Sequence, residues 1–233
     1  MNVEMLWNKV AKQYSRLIDT GRGPYHDSLI PAILDIVCHK GKGIRVLDVG
    51  CGEGYLTNQI SKLGLEVVGL DISGELIKLA RQKYPKLGFE KVSASKLSTK
   101  TKGKFDIIVS NFVAPVMNKK EFKLFLLESK KVLRKNGMLL FSISHPCFYN
   151  KSSLKYFQNV DKNVKITDYK SFRKFNKNLG GKVVVNHYHR TLDWYFNTCF
   201  STGYKCIGFR EVFDDDNNKF KRIPYGLVLS FCL

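Results

Sequence analysis

One short segment limits what this chain can fold into more than any other: Ile44-Arg45-Val46-Leu47-Asp48-Val49-Gly50-Cys51-Gly52-Glu53-Gly54. It reads as an apolar run closed by an acid, then three glycines on alternate positions. A helix-like stretch follows from Tyr55 to Leu63. A buried parallel strand that feeds a glycine-rich turn at a helix N-terminus is a ready site for an anion. The glycines let the backbone turn sharply and approach a ligand where a Cβ would clash. Asp48 closes the strand and faces the same ligand from below. A carboxylate beside an anion site suits a ligand that carries both charges.

The competing ligand is a nicotinamide or flavin dinucleotide. Its G-x-G-x-x-G fingerprint needs glycine at 50, 52 and 55, but position 55 is Tyr and the third glycine falls at 54. That fingerprint fails. The plain structural reading is a strand-turn-helix whose glycines only tighten the turn. A second element favours binding: Glu66-Val67-Val68-Gly69-Leu70-Asp71 is another apolar strand ending in an acid. It lies about twenty residues past the first glycine, where α/β nucleotide folds place the carboxylate that meets ribose hydroxyls.

At these residues the chain resembles the class I S-adenosylmethionine (SAM) dependent methyltransferases. The V-L-D-V-G-C-G-E-G run and the V-V-G-L-D-I-S that follows carry most of the likeness. It continues through Phe105-Asp106-Ile107-Ile108-Val109-Ser110-Asn111 and Val132-Leu133-Arg134-Lys135-Asn136-Gly137-Met138-Leu139-Leu140. The opening Trp7-Asn8-Lys9-Val10-Ala11-Lys12-Gln13-Tyr14 resembles the lead-in helix of the type 11 methyltransferases. Gly23-Pro24-Tyr25-His26, Ser144-His145-Pro146-Cys147-Phe148 and Tyr188-His189-Arg190-Thr191-Leu192 resemble a bacterial subgroup acting on small molecules. The resemblance implies a Rossmann-like α/β fold: a seven-stranded, mostly parallel sheet with its last strand antiparallel and helices on both faces.

At 233 residues the chain suits one well-buried α/β domain. No apolar run approaches the ~20 residues needed to span a bilayer, and the opening segment lacks a secretory apolar stretch. Cytoplasmic residence is the expectation. The six cysteines are scattered without paired metal spacing and read as reduced thiols, so neither a disulfide framework nor a metal is expected. Charge is the unusual feature: 39 Lys+Arg against 20 Asp+Glu, formally +19. Such an excess concentrates anionic partners and could support nucleic-acid binding. It is mostly lysine, spread over helices and loops, which also fits a solvated background.

Apolar spacing predicts helices over Glu4–Leu17 and Ser28–Val37. From Ile44 to Phe141 strands and helices alternate, with strands at 44–49, 66–71, 88–93, 105–110 and 137–144 and helices at 54–63, 73–83 and 119–135. Asn136-Gly137 is read as the left-handed stop after the last of these helices. Residues 145–189 break the rhythm as a long basic excursion with interleaved aromatics, read as a substrate-side lid. A helix near Thr191–Ser201 follows, then strands near 204–213 and 223–231 joined through the acidic turn Asp214-Asp215-Asp216-Asn217-Asn218. The whole is read as a single domain: N-terminal helices at 1–40, a SAM-binding core at 44–144, the insert at 145–189, and a C-terminal helix and strand pair at 190–233.

Roles follow from the resemblance plus local chemistry. Backbone N–H groups around Gly50, Cys51, Gly52 and Gly54 should approach the methionine end of SAM, with Asp48 engaging its ammonium. Asp71 should hold the ribose hydroxyls and Ile72 should flank the adenine. Ser93 and Ala94 stand where relatives commonly carry Asp-Ala beside the adenine amino group; Ser93 brings no charge. Asn111 and Phe112 close the cofactor side. Tyr25, His26, Tyr188, His189 and Arg190 are acceptor-site candidates. His145 is a candidate general base and Tyr14 a candidate cover for the sulfonium. The favoured reading is a methyltransferase acting on a small-molecule acceptor, anionic or neutral, at nitrogen, oxygen or carbon, with S-adenosylhomocysteine as product. The rivals are an RNA methyltransferase that uses the basic insert, and a non-catalytic SAM-binding protein.

Overall fold

The structure, a computed structural model, describes residues 2–21, 25–39, 41, 43–148, 169, 172, 174–180, 183–213 and 224–233. Helix α1 (Val3–Asp19) starts on Asn2, whose side chain accepts the Met5 N–H at 2.8 Å. A π-helical turn at Tyr25–Leu29 leads into α2 (Ile30–Cys38), so the regular helix begins two residues later than its periodicity suggested. Pro31 stands in the first turn of α2, where its missing N–H has no intrahelical partner to lose.

The chain then alternates through β1 (Arg45–Val49), α3 (Tyr55–Ser61), β2 (Glu66–Asp71), α4 (Gly74–Lys83), β3 (Gly88–Lys91), β4 (Phe105–Asn111), α5 (Lys119–Val132) and β5 (Leu133–Ser144). A separate hairpin pairs β6 (Lys174–Gly180) with β7 (Val183–Tyr188). Helix α6 (Leu192–Ser201) and strands β8 (Lys205–Phe213) and β9 (Pro224–Cys232) follow. The main sheet runs β3-β2-β1-β4-β5-β9-β8. Strands β1 to β5 are mutually parallel, and β9 inserts antiparallel between β5 and β8. This is the seven-stranded, mostly parallel sheet with an antiparallel last strand that the motifs implied.

The central strands β1, β4, β5 and β9 are buried on both faces, which is why they are near-continuous apolar runs, whereas the edge strands β3 and β8 are largely exposed. Leu47, Phe141 and Leu229 join Phe122, Phe125 and Tyr195 on the face covered by α5 and α6. Their chain neighbours Val46, Leu140 and Val228 point to the other face, with Leu29, Ile33 and Ile60 from the α2 and α3 side. Phe141 is fully buried, stacks on Phe231 at 5.6 Å and meets Phe122 edge-on.

One boundary differs from expectation. Helix α5 stops at Val132, because Leu133 turns extended (ψ 144°) and pairs with Phe105 as the first residue of β5. Asn136 does take a left-handed φ of 66°, but inside a bulge between the Leu133 and Met138 pairings and not as a helix cap. Arg134, carried on that bulge, pairs with Asp106 at 2.9 Å.

The excursion after β5 contains more regular structure than the sequence indicated. Hairpin β6–β7 packs Val183, Val185 and Leu179 against Val10, Trp7 and Tyr14 of α1. Residues 149–168, most of the basic aromatic-laced run, lie outside the described residues, as do Gly23-Pro24 and the acidic turn Asp214–Asn218.

Replacing Phe141 by Ala should cost about 3–5 kcal/mol of unfolding free energy, the usual range for a buried phenylalanine. Urea denaturation monitored by circular dichroism measures this; a loss below about 1 kcal/mol would contradict the packing described here.

Candidate cofactor and acceptor site

The glycine turn is demanded by both conformation and space. Gly50, Gly52 and Gly54 all have left-handed φ values, 77°, 59° and 88°. A Cβ on Gly50 would lie 2.2 Å from Val113 Cγ2, and one on Gly54 would lie 2.7 Å from Phe89 Cζ. The N–H groups of Gly50 and Cys51 donate to the Leu70 carbonyl at 2.7 and 2.9 Å, which ties the turn to the end of β2. Gly52 N–H donates to Asp71 Oδ2 at 3.0 Å, and Gly54 N–H to the Cys51 carbonyl at 3.0 Å. Sequence reasoning aimed these N–H groups at an anion; in this structure each is bonded within the protein.

The acidic side chains define the electrostatics. Asp48 is buried beneath the turn and accepts the Thr57 hydroxyl at 2.7 Å; burial raises its pKa to about 7. Asp71 is also buried and accepts the N–H groups of Gly52 and Ser73, yet burial still raises its pKa to about 6. Glu53 pairs at 2.7 Å with Lys83, which also holds Asp19 at the end of α1. Tyr14 lies over the turn, its Cε1 3.4 Å from where a Gly52 Cβ would stand. Burial, followed by the charges of Glu53, Asp71 and Asp48, pushes its phenol well above the ordinary tyrosine value. Helix α1 is anchored here by Asn8, whose amide oxygen accepts the Ser73 hydroxyl at 2.7 Å and the Glu75 N–H at 3.3 Å. Thr57, Glu53 and Asn8 were missed by motif reading because their parts depend on contacts distant in sequence.

Around this centre the expected residues take distinct places. Ile72 is half-buried just past Asp71, and Ser93 turns its hydroxyl to Ser95 at 2.9 Å while Ala94 packs on the core. At the end of β4, Phe112 takes a left-handed φ of 56°, uncommon outside glycine. Its N–H donates to Ser142 Oγ at 3.0 Å, and that hydroxyl donates to Asn111 Oδ1. Tyr25 stacks on Phe112 with centroids 6.3 Å apart. The His26 ring bridges Tyr25 and Tyr55 edge-on, at 4.9 and 4.7 Å. Tyr25, Asn111 and Phe112 therefore form one wall, and Tyr14 lies apart from it over the turn.

The remaining candidates gather at the end of β5. A small cavity of about 10 Å³, room for roughly one water, is lined by Ser144, Pro146, His187, Tyr188, His189 and Arg190, among others. Arg190 is buried and donates to the carbonyls of Ala114 and Met117, with its guanidinium 4.4 Å over the Trp194 ring. It staples the segment after β4 to α6. His189 Nε2 lies 3.1 Å from the Tyr169 carbonyl. His145 is buried beside this pocket without lining it; its Nε2 lies 3.1 Å from Glu211, and burial lowers its pKa against that neighbour.

Comparison with known proteins bears on the fold and the family. The family described as "Methyltransferase domain" matches residues 40–193. A ubiquinone biosynthesis O-methyltransferase of Pelagibacter ubique is 39% identical over 100 residues, covering 42% of this chain and 41% of that protein. A ribosomal protein methyltransferase of Thermotoga neapolitana is 30% identical over 138 residues, 58% of this chain and 50% of its own length. The chain thus spans half or less of the curated relatives it matches here. The crystal structure of a magnesium protoporphyrin IX methyltransferase from Synechocystis with bound SAM superposes with a TM-score of 0.65, covering 98% of this chain and 94% of that one. At 15% identity that likeness is one of fold. Among the described residues no helix is long and apolar enough to cross a membrane. With the family match running from just before β1 into α6, across the glycine turn and both buried aspartates, this chain belongs to the methyltransferase domain family.

Proposed function

We propose that this chain is a SAM-dependent methyltransferase that transfers the methyl group to a small-molecule acceptor at nitrogen, oxygen or carbon. One observation carries the reading: two buried carboxyls, Asp48 and Asp71, flank a left-handed glycine turn beside the crevice where β1 and β4 diverge in the sheet order. Both resist ionising there, so a ligand bearing an ammonium, a sulfonium and a ribose diol matches them in charge and hydrogen bonding.

When bound, SAM supplies a methyl group on positively charged sulfur, already activated for displacement. The protein then contributes alignment and exclusion of water, and aligned reactants alone can lower a barrier by roughly 7–11 kcal/mol. Asp71 accepts bonds from the ribose hydroxyls and Asp48 attracts the ammonium. Ile72, Ser93 and Ala94 border the adenine. Tyr14 covers the turn from α1, while Asn111 and Phe112 separate the cofactor from the acceptor. Tyr25, His26, Tyr188 and His189 shape the acceptor side, and Arg190 holds that wall together through its carbonyl bonds. His145, joined to Glu211, supports the end of β5 and takes a proton only from an acceptor that must lose one. The whole chain serves as one domain, with α1 and the β6–β7 hairpin as cover. Coverage of the crevice by these two elements supports a small acceptor over a folded nucleic acid.

Titration calorimetry should detect binding of both SAM and S-adenosylhomocysteine. Asp71→Ala should weaken SAM by about tenfold or more, the scale of a charge-assisted bond. Unchanged affinity in that variant would remove Asp71 from the site.

Proton linkage provides a second test. A carboxyl whose folded pKa is raised stabilises the fold fully below about pH 4, and that contribution is lost as pH rises through about 6 for Asp71 and 7 for Asp48. The ligand-free protein should therefore be more stable at pH 5 than at pH 8, as far as these two groups govern. A cationic ligand lowers both pKa values, so SAM binding near pH 6.5 should release protons. The apparent binding enthalpy should then change with the ionisation enthalpy of the buffer; an enthalpy identical in all buffers at that pH would count against Asp48 and Asp71 as ligand partners.

A further inference from the structure

The outward face of helix α5 has an unusual composition. Every exposed residue of the helix is a lysine or a leucine: five lysines, with Leu124 and Leu127 between them. A solvated helix face ordinarily mixes both signs of charge with neutral polar groups. Both acids of α5 are turned aside. Glu121 accepts the Asn118 N–H at 2.7 Å as part of the helix cap. Glu128 is buried, accepts the Ser98 N–H and hydroxyl at 2.8 and 2.7 Å, and pairs with Lys131 at the rim. Lys119, Lys120 and Lys123 have no hydrogen-bond or ion-pair partner among the described residues.

The two leucines are not isolated. They are 37% and 38% exposed and three residues apart, so they adjoin on the helix surface. Lys130 Nζ donates to the Thr202 carbonyl at 3.4 Å, which brings the end of α6 beside α5. Just before that end, Phe200 is 49% exposed, its ring 6.5 Å from the buried Phe231. Phe209 of β8 stands opposite Leu229, which packs in the core beneath α5 and α6. Opposed residues share a face, so the Phe209 ring, 67% exposed, emerges on this same side of the sheet. One layer of the molecule thus presents leucine and phenylalanine among lysines.

We propose that this layer docks on an anionic phospholipid surface, with the α5 lysines at the headgroups and Leu124, Leu127 and Phe200 reaching the acyl boundary. Lysine stems are long enough to keep their charge at headgroup depth while the leucines between them go deeper. Attraction of the lysines to an anionic leaflet and burial of the apolar side chains act together, and stable interfacial binding needs both. RNA suits the face less well, because leucine offers no flat surface on which a base can stack. No helix among the described residues is long and apolar enough to span a bilayer, so the contact is peripheral. The formal charge of +19, which the cofactor site leaves unused, gains a partner here.

Flotation of the full chain with lipid vesicles tests this. The protein should rise with vesicles of equal parts phosphatidylglycerol and phosphatidylcholine, stay behind with phosphatidylcholine alone, and be partly released by high salt. Lys120→Glu combined with Lys123→Glu should lower the partition by at least about tenfold. The matched pair Lys62→Glu and Lys86→Glu, on exposed turns after α3 and α4, should leave most of it. Leu124→Ser combined with Leu127→Ser should lower it by about tenfold at unchanged charge. Circular dichroism melts check that each variant is folded. Failure of the wild-type chain to bind the anionic vesicles overturns the inference and needs no variant. Equal losses in the two charge-reversed pairs overturn it too, since general charge would then suffice, and so does binding that ignores the leucines. Vesicles left unbound while polyuridylate retains the chain would hand the face to RNA.

Discussion

The centre of this protein depends on a turn that cannot exist without its glycines. Three left-handed positions in five residues let the chain leave β1, fold its N–H groups back onto the Leu70 carbonyl and Asp71, and enter α3. Those bonds join the ends of β1 and β2, so the carboxylates that close the two strands are held in one place. A side chain at Gly50 or Gly54 would collide with Val113 or Phe89. The turn is therefore matched to its packing as well as to its own dihedral angles, and a Cβ would disturb both.

Holding Asp48 and Asp71 near each other in a water-poor place is unfavourable for the protein alone. Their raised pKa values express that cost. Hydrogen bonds from Thr57, Gly52 and Ser73 offset part of it. A cationic ligand would offset more, so the same electrostatics that weigh against the empty fold favour the proposed cofactor. Binding and stability are linked through the same two groups.

The cover over this centre is assembled from α1, ahead of the matched region, and from the β6–β7 hairpin near its end. Helix α1 docks through Asn8 onto the start of α4 and through Asp19 onto Lys83, and the hairpin then packs on α1. Arg190 secures the opposite side by bonding the carbonyls of Ala114 and Met117. This side of the crevice is thus held by polar contacts between segments that lie far apart in the chain.

Local pattern determined much of this. Apolar strands ending in Asp48 and Asp71, the glycine spacing between them and the βαβ rhythm are short-range features, and they were legible because strand burial and turn geometry act on neighbouring residues. The seven-stranded sheet and most element boundaries followed from the same signals and from family resemblance. Tertiary structure alone decided where long side chains point. Lys177 read as one lysine in a basic run, yet strand pairing turns it inward toward Ser144 and Phe112. Arg190 read as a substrate contact, yet its donors bond the main chain after β4. Asn136 read as a helix stop, but long-range pairing of Leu133 with Phe105 had already drawn the chain into β5. Contacts between residues distant in sequence set these outcomes, and no short window of the chain contains both partners.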